Sequence, residues 1–119
     1  MSSNDELKNR TKKFALRVIK LVESLPNKPT ARVIGNQLLR CGTSVAANYR
    51  AACRARSKAD FISKMGIVEE ETDESKFWIE MLIETNLVKE VLVADLLDEA
   101  NQLTKIFVSS INTARGGKR

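Results

Sequence analysis

The stretch from Leu38 to Phe61, LLRCGTSVAANYRAACRARSKADF, decides the fold. It opens with two leucines and turns small and polar through Cys41, Gly42, Thr43 and Ser44. It then carries arginines at 50, 54 and 56. Two chemistries compete for it. Cys41 and Ser44 beside a glycine have the look of a nucleophile site. The same letters fit a closely packed helix face with a basic outer side. At about 100° per residue, Cys41 falls at the centre of a stripe formed by Ile34, Leu38, Cys41, Val45, Asn48 and Ala52, with Ser44 at its edge. The chain has no histidine to act as a base, and a buried Cys behaves as a small hydrophobe. The packing reading is therefore preferred. An amide on the core side is costly unless paired, so Asn48 is expected to hydrogen-bond across the bundle and fix helix register.

Working outward, helical periodicity continues on both sides. Pro26 and Pro29 mark the clearest loop. Before it, a helix is predicted from about Asp5 to Ser24, with Leu7, Phe14, Val18, Leu21 and Leu25 as its stripe. Thr30 is expected to cap the second helix, which runs to about Ala55. Ser57, with Asp60 three residues on, reads as a partial capping box that starts the third helix. That helix carries Phe61, Met65, Val68, Thr72, Ser75, Ile79 and Leu82. A break near Thr85–Asn86 precedes a fourth helix with Leu92, Leu96, Ala100, Leu103, Phe107 and Ser110. Four long helices with short links predict an all-α fold, an antiparallel up-down four-helix bundle. The expected domain spans residues 1–114, and residues 115–119 form a basic disordered tail.

Composition bounds the function. With 119 residues there is room for one core. No apolar run approaches the roughly 20 residues that span a bilayer, and the N-terminus lacks a signal-peptide core. The expectation is a cytoplasmic protein without membrane contact. The absence of histidine removes Ser-His and Cys-His pairs and His-ligated metals. Cys41 and Cys53 on one helix lie about 18 Å apart, too far for a disulfide. The carboxylates of Glu69-Glu70-Glu71-Thr72-Asp73-Glu74 fan around most of a helix. They are expected to face solvent or answer arginines, with no metal and no cofactor.

Charge is unevenly placed: residues 1–64 hold 14 Lys/Arg against 4 Asp/Glu, and residues 65–119 hold 6 against 11. The halves can pair with each other across the bundle, or the basic half can meet a polyanion. Arg50 and Arg54 point away from the core stripe, Arg40 lies on its flank, and Arg56 continues the run. The first helix adds Lys12, Lys13 and Arg17 to Lys8, Arg10 and Lys20. Positive charge along one surface suits phosphate binding without base reading. Aromatic residues hardly interleave with it, so stacking on single-stranded bases is poorly supported. Away from the core stripes, Ile67, Trp78 and Met81 cluster on the third helix, and Leu16 and Ile19 on the first. Leu97 and Val108 do so on the fourth. These residues predict contact with another chain.

Three stretches, LLRCGTSVAANYR, RARSKADFI and ESKFWIEML, resemble a bacterial family of four-helix-bundle proteins first noticed as products of intervening sequences in 23S rRNA genes. The likeness rests on Arg40, Ser44–Val45, Asn48, Arg56, Ser57, Phe61 and Glu74. Ala51 and Ala52 stand where many members have an acidic residue and glycine, and Glu70 and Glu71 where many have Gly-Ser. The resemblance implies an antiparallel bundle that assembles into a homopentamer, with no established catalysis. A related branch, the accessory variability determinant of diversity-generating retroelements, is a basic pentamer that binds nucleic acid and a reverse transcriptase.

The expectation is thus a non-enzymatic homo-oligomer, with the pentamer favoured. It binds RNA or DNA phosphates, or docks a nucleic-acid enzyme such as a reverse transcriptase, through Arg40, Arg50, Arg54, Arg56, Lys12, Lys13 and Arg17. The subunit contacts are Ile67, Trp78, Met81, Leu16 and Ile19. The alternative is a protein-only scaffold or interaction module that binds no nucleic acid.

Overall fold

The computed structural model describes residues 3–116. Four helices follow in order: α1 (Ser3–Glu23), α2 (Pro29–Cys53), α3 (Lys58–Glu84) and α4 (Glu90–Ala114). No strand occurs among the described residues. Links of four or five residues force each helix to turn back on its predecessor. The chain forms an all-α four-helix bundle with extents of 46 × 25 × 25 Å. α2 packs extensively on both α1 and α3, and α3 on α4, whereas α1 and α4 touch only briefly. The bundle is closed on three sides and open on the fourth.

The links have local causes. Ser57 caps α3, its Oγ accepting from Asp60 N–H at 3.0 Å. The box is displaced by one residue, because Asp60 Oδ2 accepts from Arg56 N–H at 3.2 Å. α3 ends in a Schellman arrangement: Leu87 N–H donates to Leu82 C=O at 3.0 Å and Asn86 N–H to Ile83 C=O at 2.9 Å. Asn86 takes the left-handed conformation this requires, φ 63°, which Asn tolerates better than most residues. Thr30 does not cap α2. Helix geometry begins at Pro29, and the cap position is Lys28, which offers no side-chain bond. Pro suits the first helical position because its missing N–H would have no intrahelical partner there.

The core is continuous through all four helices: Phe14 and Val18, Leu38 and Val45, Met65, Val68, Ile79 and Leu82, then Leu103 and Phe107 are fully buried. The α3 stripe from Met65 to Leu82 lies where the periodicity predicts. Two stripes are corrected. On α2 the inward residue after Val45 is Tyr49, and Asn48 is only half-buried. Its amide stays within its own helix, donating to Ser44 O at 2.9 Å and Ser44 Oγ at 2.7 Å, so it makes no cross-bundle bond. On α4 the core runs through Val93 and Ile111, while Leu92 is 74% exposed and Ser110 is peripheral. In each case the two neighbouring residues lie about 100° apart on opposite edges of the stripe, and the helix turns Tyr49, Val93 and Ile111 inward.

Buried polar groups are answered locally. Thr11 and Thr72, both buried, donate to the carbonyls of Leu7 and Val68 at 2.8 and 2.7 Å. Among the described residues no buried side-chain nitrogen or oxygen lacks a partner. No described helix is long and apolar enough to cross a membrane. Arg115 ends α4 and Gly116 follows it with φ 78°; the remainder of the expected tail, 117–119, lies outside the described residues.

Candidate nucleic-acid interface

Cys41 is wholly buried, with its thiol 3.6 Å from Leu38 O. Ser75 Oγ lies 3.3 Å from Cys41 Sγ and 2.8 Å from Glu71 O. Burial pushes the Cys41 thiol up, and the Ser75 contact offsets only part of this. A thiol held protonated is a poor nucleophile, so Cys41 is part of the α2–α3 packing seam. Gly42 brings α1 equally close on the other flank of α2. A Cβ placed on Gly42 would stand 2.8 Å from Val18 Cγ1.

The predicted cations separate into groups once the bundle is assembled. Arg40 is taken by α3: its guanidinium bonds Glu74 Oε2 and lies 3.3 Å from Glu71 Oε2. Trp78 Nε1 donates to the same Glu74 oxygen at 3.0 Å. The bond from Arg40, followed by that from Trp78, holds the Glu74 carboxyl below the usual glutamate range. Part of the acidic run is therefore answered inside the chain. Arg10 is likewise used, bonding Glu99 at 2.7 and 3.0 Å and Gln102 at 3.3 Å. This contact pins α1 to α4. Lys64 pairs with Asp60 at 2.6 Å and Lys76 with Asp73 at 3.7 Å.

Lys8, Lys12 and Arg50 take part in none of these ion pairs. They line one groove of about 420 Å³ between α1 and α2, with Asn9, Thr43, Ala46 and Ala47. Lys8 and Lys12 are four residues apart, so they share one face of α1. Arg50 lies one turn beyond Ala46 on the facing side of α2. The alanines leave space, and Thr43 spends its hydroxyl on Leu39 O at 2.7 Å. The groove thus presents three cations over a small, uncharged floor. Arg54, the residue that closes α2, and Arg56 in the following turn are exposed beyond its α2 end.

Of the seven predicted cations, Lys12 and Arg50 come together, and Arg54 and Arg56 flank their end of the molecule. Arg17 lines a different groove, between α1 and α4. Lys13 is exposed and lines neither. Lys8 belongs to the site although it stood in the sequence only as one of many α1 charges; its i, i+4 spacing to Lys12 was the available signal. Of the predicted contact residues, Leu16 and Ile67 are 54% and 42% exposed, and Ile19 is half-buried. Trp78 and Met81 are half-buried against the core. The outward aromatic is Phe77, 49% exposed, with its ring edge-on to Trp78 at 4.8 Å.

The model of the 23S rRNA-intervening sequence protein family matches residues 4–109. A solved crystal structure, a protein of unknown function from the S23 ribosomal protein family of Bacteroides thetaiotaomicron, is similar at 32% identity. Its TM-score is 0.86, and the match covers 93% of this chain and 99% of that one. No curated protein matches.

Proposed function

We propose, for a chain that belongs to the 23S rRNA-intervening sequence protein family, a non-enzymatic role: a cytoplasmic homo-oligomer, the pentamer favoured, that binds RNA or DNA through its phosphates. The observation that carries this reading is the groove of Lys8, Lys12 and Arg50, whose cations enter none of the ion pairs among the described residues. Three positive groups around a small neutral floor offer charge and close approach, which is what a phosphodiester chain needs. They offer no fixed donor–acceptor pattern for reading bases. Arg54 and Arg56 extend the positive surface beyond the groove. Leu16, Ile67 and Phe77, exposed on two helices, support assembly with further copies.

The test is binding of RNA and DNA oligonucleotides across a salt series. Affinity falls linearly with log salt if phosphate contacts carry it, and Lys12→Glu with Arg50→Glu abolishes most of it. Absence of binding at low salt overturns the reading. Loss of assembly in that double variant, rather than of binding, favours the protein-only scaffold instead.

A further inference from the structure

The open side of the bundle has a shape and a charge of its own. Between the second half of α1 and the start of α4 runs a groove of about 750 Å³ with Leu21, Leu25, Val93 and Leu96 among its walls. Val91 and Leu92 project at its edge, 79% and 74% exposed. Its charged lining consists of Arg17, Lys20 and Lys89, with no carboxylate. None of these three cations joins an ion pair of the described residues. An apolar groove with a wholly positive rim calls for an apolar ridge with negative charge.

The same chain carries such a ridge on α3. Measured around the helix at about 100° per residue, the core stripe of Met65 to Leu82 faces one way, and Gly66, Glu70, Phe77 and Glu84 face the other. Glu70, Glu80 and Glu84 are exposed and outside every ion pair above. Phe77 is the exposed apolar group on that face, and Ile67, also exposed, lies about 80° round the helix from it. A Cβ on Gly66 would meet nothing within 4 Å, so packing within the chain gives no reason for a glycine in the third turn of this helix. Close approach of another molecule does.

We infer that the α1/α4 groove of one copy receives the outer face of α3 from the next copy. Phe77 lies against Val91 and Leu92, and Glu80 and Glu84, one and two turns on, oppose Arg17 and Lys20. This rests on the homo-oligomer reading above and specifies its contact. Packing in the order α1, α2, α3, α4 puts the α3 outer face and the α1/α4 groove on different sides of the bundle. The contact is therefore heterologous. Each copy gives a ridge on one side and a groove on another, and repetition closes a ring.

The test uses the full chain and light-scattering mass, with helicity checked by circular dichroism. Leu92→Glu blocks the groove and Phe77→Glu blocks the ridge; both positions are exposed. Each variant alone is expected at the 13.3 kDa monomer mass. Mixed in equal amounts they pair to twice that mass, because each retains the half that the other lacks. A second pair of variants checks the charge pattern. Arg17→Glu with Lys20→Glu disassembles the oligomer, and adding Glu80→Lys with Glu84→Lys in the same chain restores it. A wild type that is assembled while these variants also stay assembled, or fail both to pair and to be restored, overturns this contact alone. A monomeric wild type overturns the oligomer reading with it. If that monomer binds an acidic amphipathic helical peptide in the groove, the occupant is a foreign protein and not a second copy.

Discussion

Arg40 and Arg50 are ten residues apart on the same helix, yet the bundle treats them differently. Arg40 lies on the flank of α2 that faces α3, where Glu71 and Glu74 answer it. Arg50 lies on the flank that faces α1, where Lys8 and Lys12 share its groove. In sequence Arg40 lies on the flank of the apolar stripe and Arg50 points away from it, and both stand among the candidates for phosphate contact. The structure makes one an internal tie and leaves the other a surface charge among like charges. Like charges gathered without a counter-ion cost stability. That cost is repaid when an anion binds.

The largest expected effect separates these two flanks. Lys12→Glu with Arg50→Glu lowers affinity for RNA or DNA by about a hundredfold at low salt and flattens the salt dependence by about one log unit per cation removed. Arg40→Gln leaves both within about twofold. Equal losses from the two flanks would erase the distinction, since the binding surface would then include the Arg40 side. Filter binding or fluorescence anisotropy across a salt series reads both quantities.

The next effect concerns how the α1 flank is held. Gly42→Ala gains about 1 kcal/mol of helix propensity, but its Cβ lands 2.8 and 2.9 Å from the two methyls of Val18 and 3.1 Å from Val18 Cβ. Rotating the valine does not clear its own Cβ, so overpacking of about 1–3 kcal/mol prevails. The net loss is about 1 kcal/mol, read as a fall in the urea midpoint. In a Val18→Ala background, which removes the two methyls and leaves only the Cβ contact at 3.1 Å, the loss from Gly42→Ala shrinks. A loss of undiminished size there would show that the close approach to Val18 is not what opposes the added methyl.

Much of this was legible beforehand, for reasons that differ residue by residue. Ser57 announced its cap because the signal is local, one side chain and a backbone N–H three residues away. The stripe from Met65 to Leu82 was legible because each apolar position is separately marked. Tyr49 and Val93 were missed in favour of Asn48 and Leu92, since neighbouring residues sit on opposite edges of a stripe about 100° apart, and periodicity alone does not say which edge turns inward. Phe77 was passed over for Trp78, although Phe77 lies opposite the core stripe and Trp78 about 100° round from Phe77, half-buried. The fate of each cation was not legible at all. Whether Arg40 meets a carboxylate depends on how α3 is set against α2, and a single helix carries no record of its neighbour's register. The groove was half legible: Lys12 and Arg50 stood among the candidates, but nothing in the chain ranks them above Lys13 or Arg17 until α1 and α2 are side by side.

The smallest effect tests the answered flank itself. Arg40 first, and Trp78 second, hold the Glu74 carboxyl below its ordinary value of 4.5. A group whose folded value is depressed adds stability that is present above its unfolded value. That stability is lost as pH falls through the folded one. The contribution is therefore full at neutral pH and disappears on acidification below about pH 4.5. Half-exposed ion pairs contribute little, so a thermal melt is a blunt probe. A sharper one is available, because Trp78 is the single tryptophan and its indole N–H donates to Glu74. Protonating Glu74 weakens that acceptor and shifts the emission while circular dichroism still reports a folded bundle. Arg40→Gln should move the midpoint of this shift upward, and Glu74→Gln should remove it. An unchanged midpoint in Arg40→Gln would mean that Arg40 does not hold Glu74 in solution. Arg40 would then be as available to an anion as Arg50, and the two flanks of α2 would be alike.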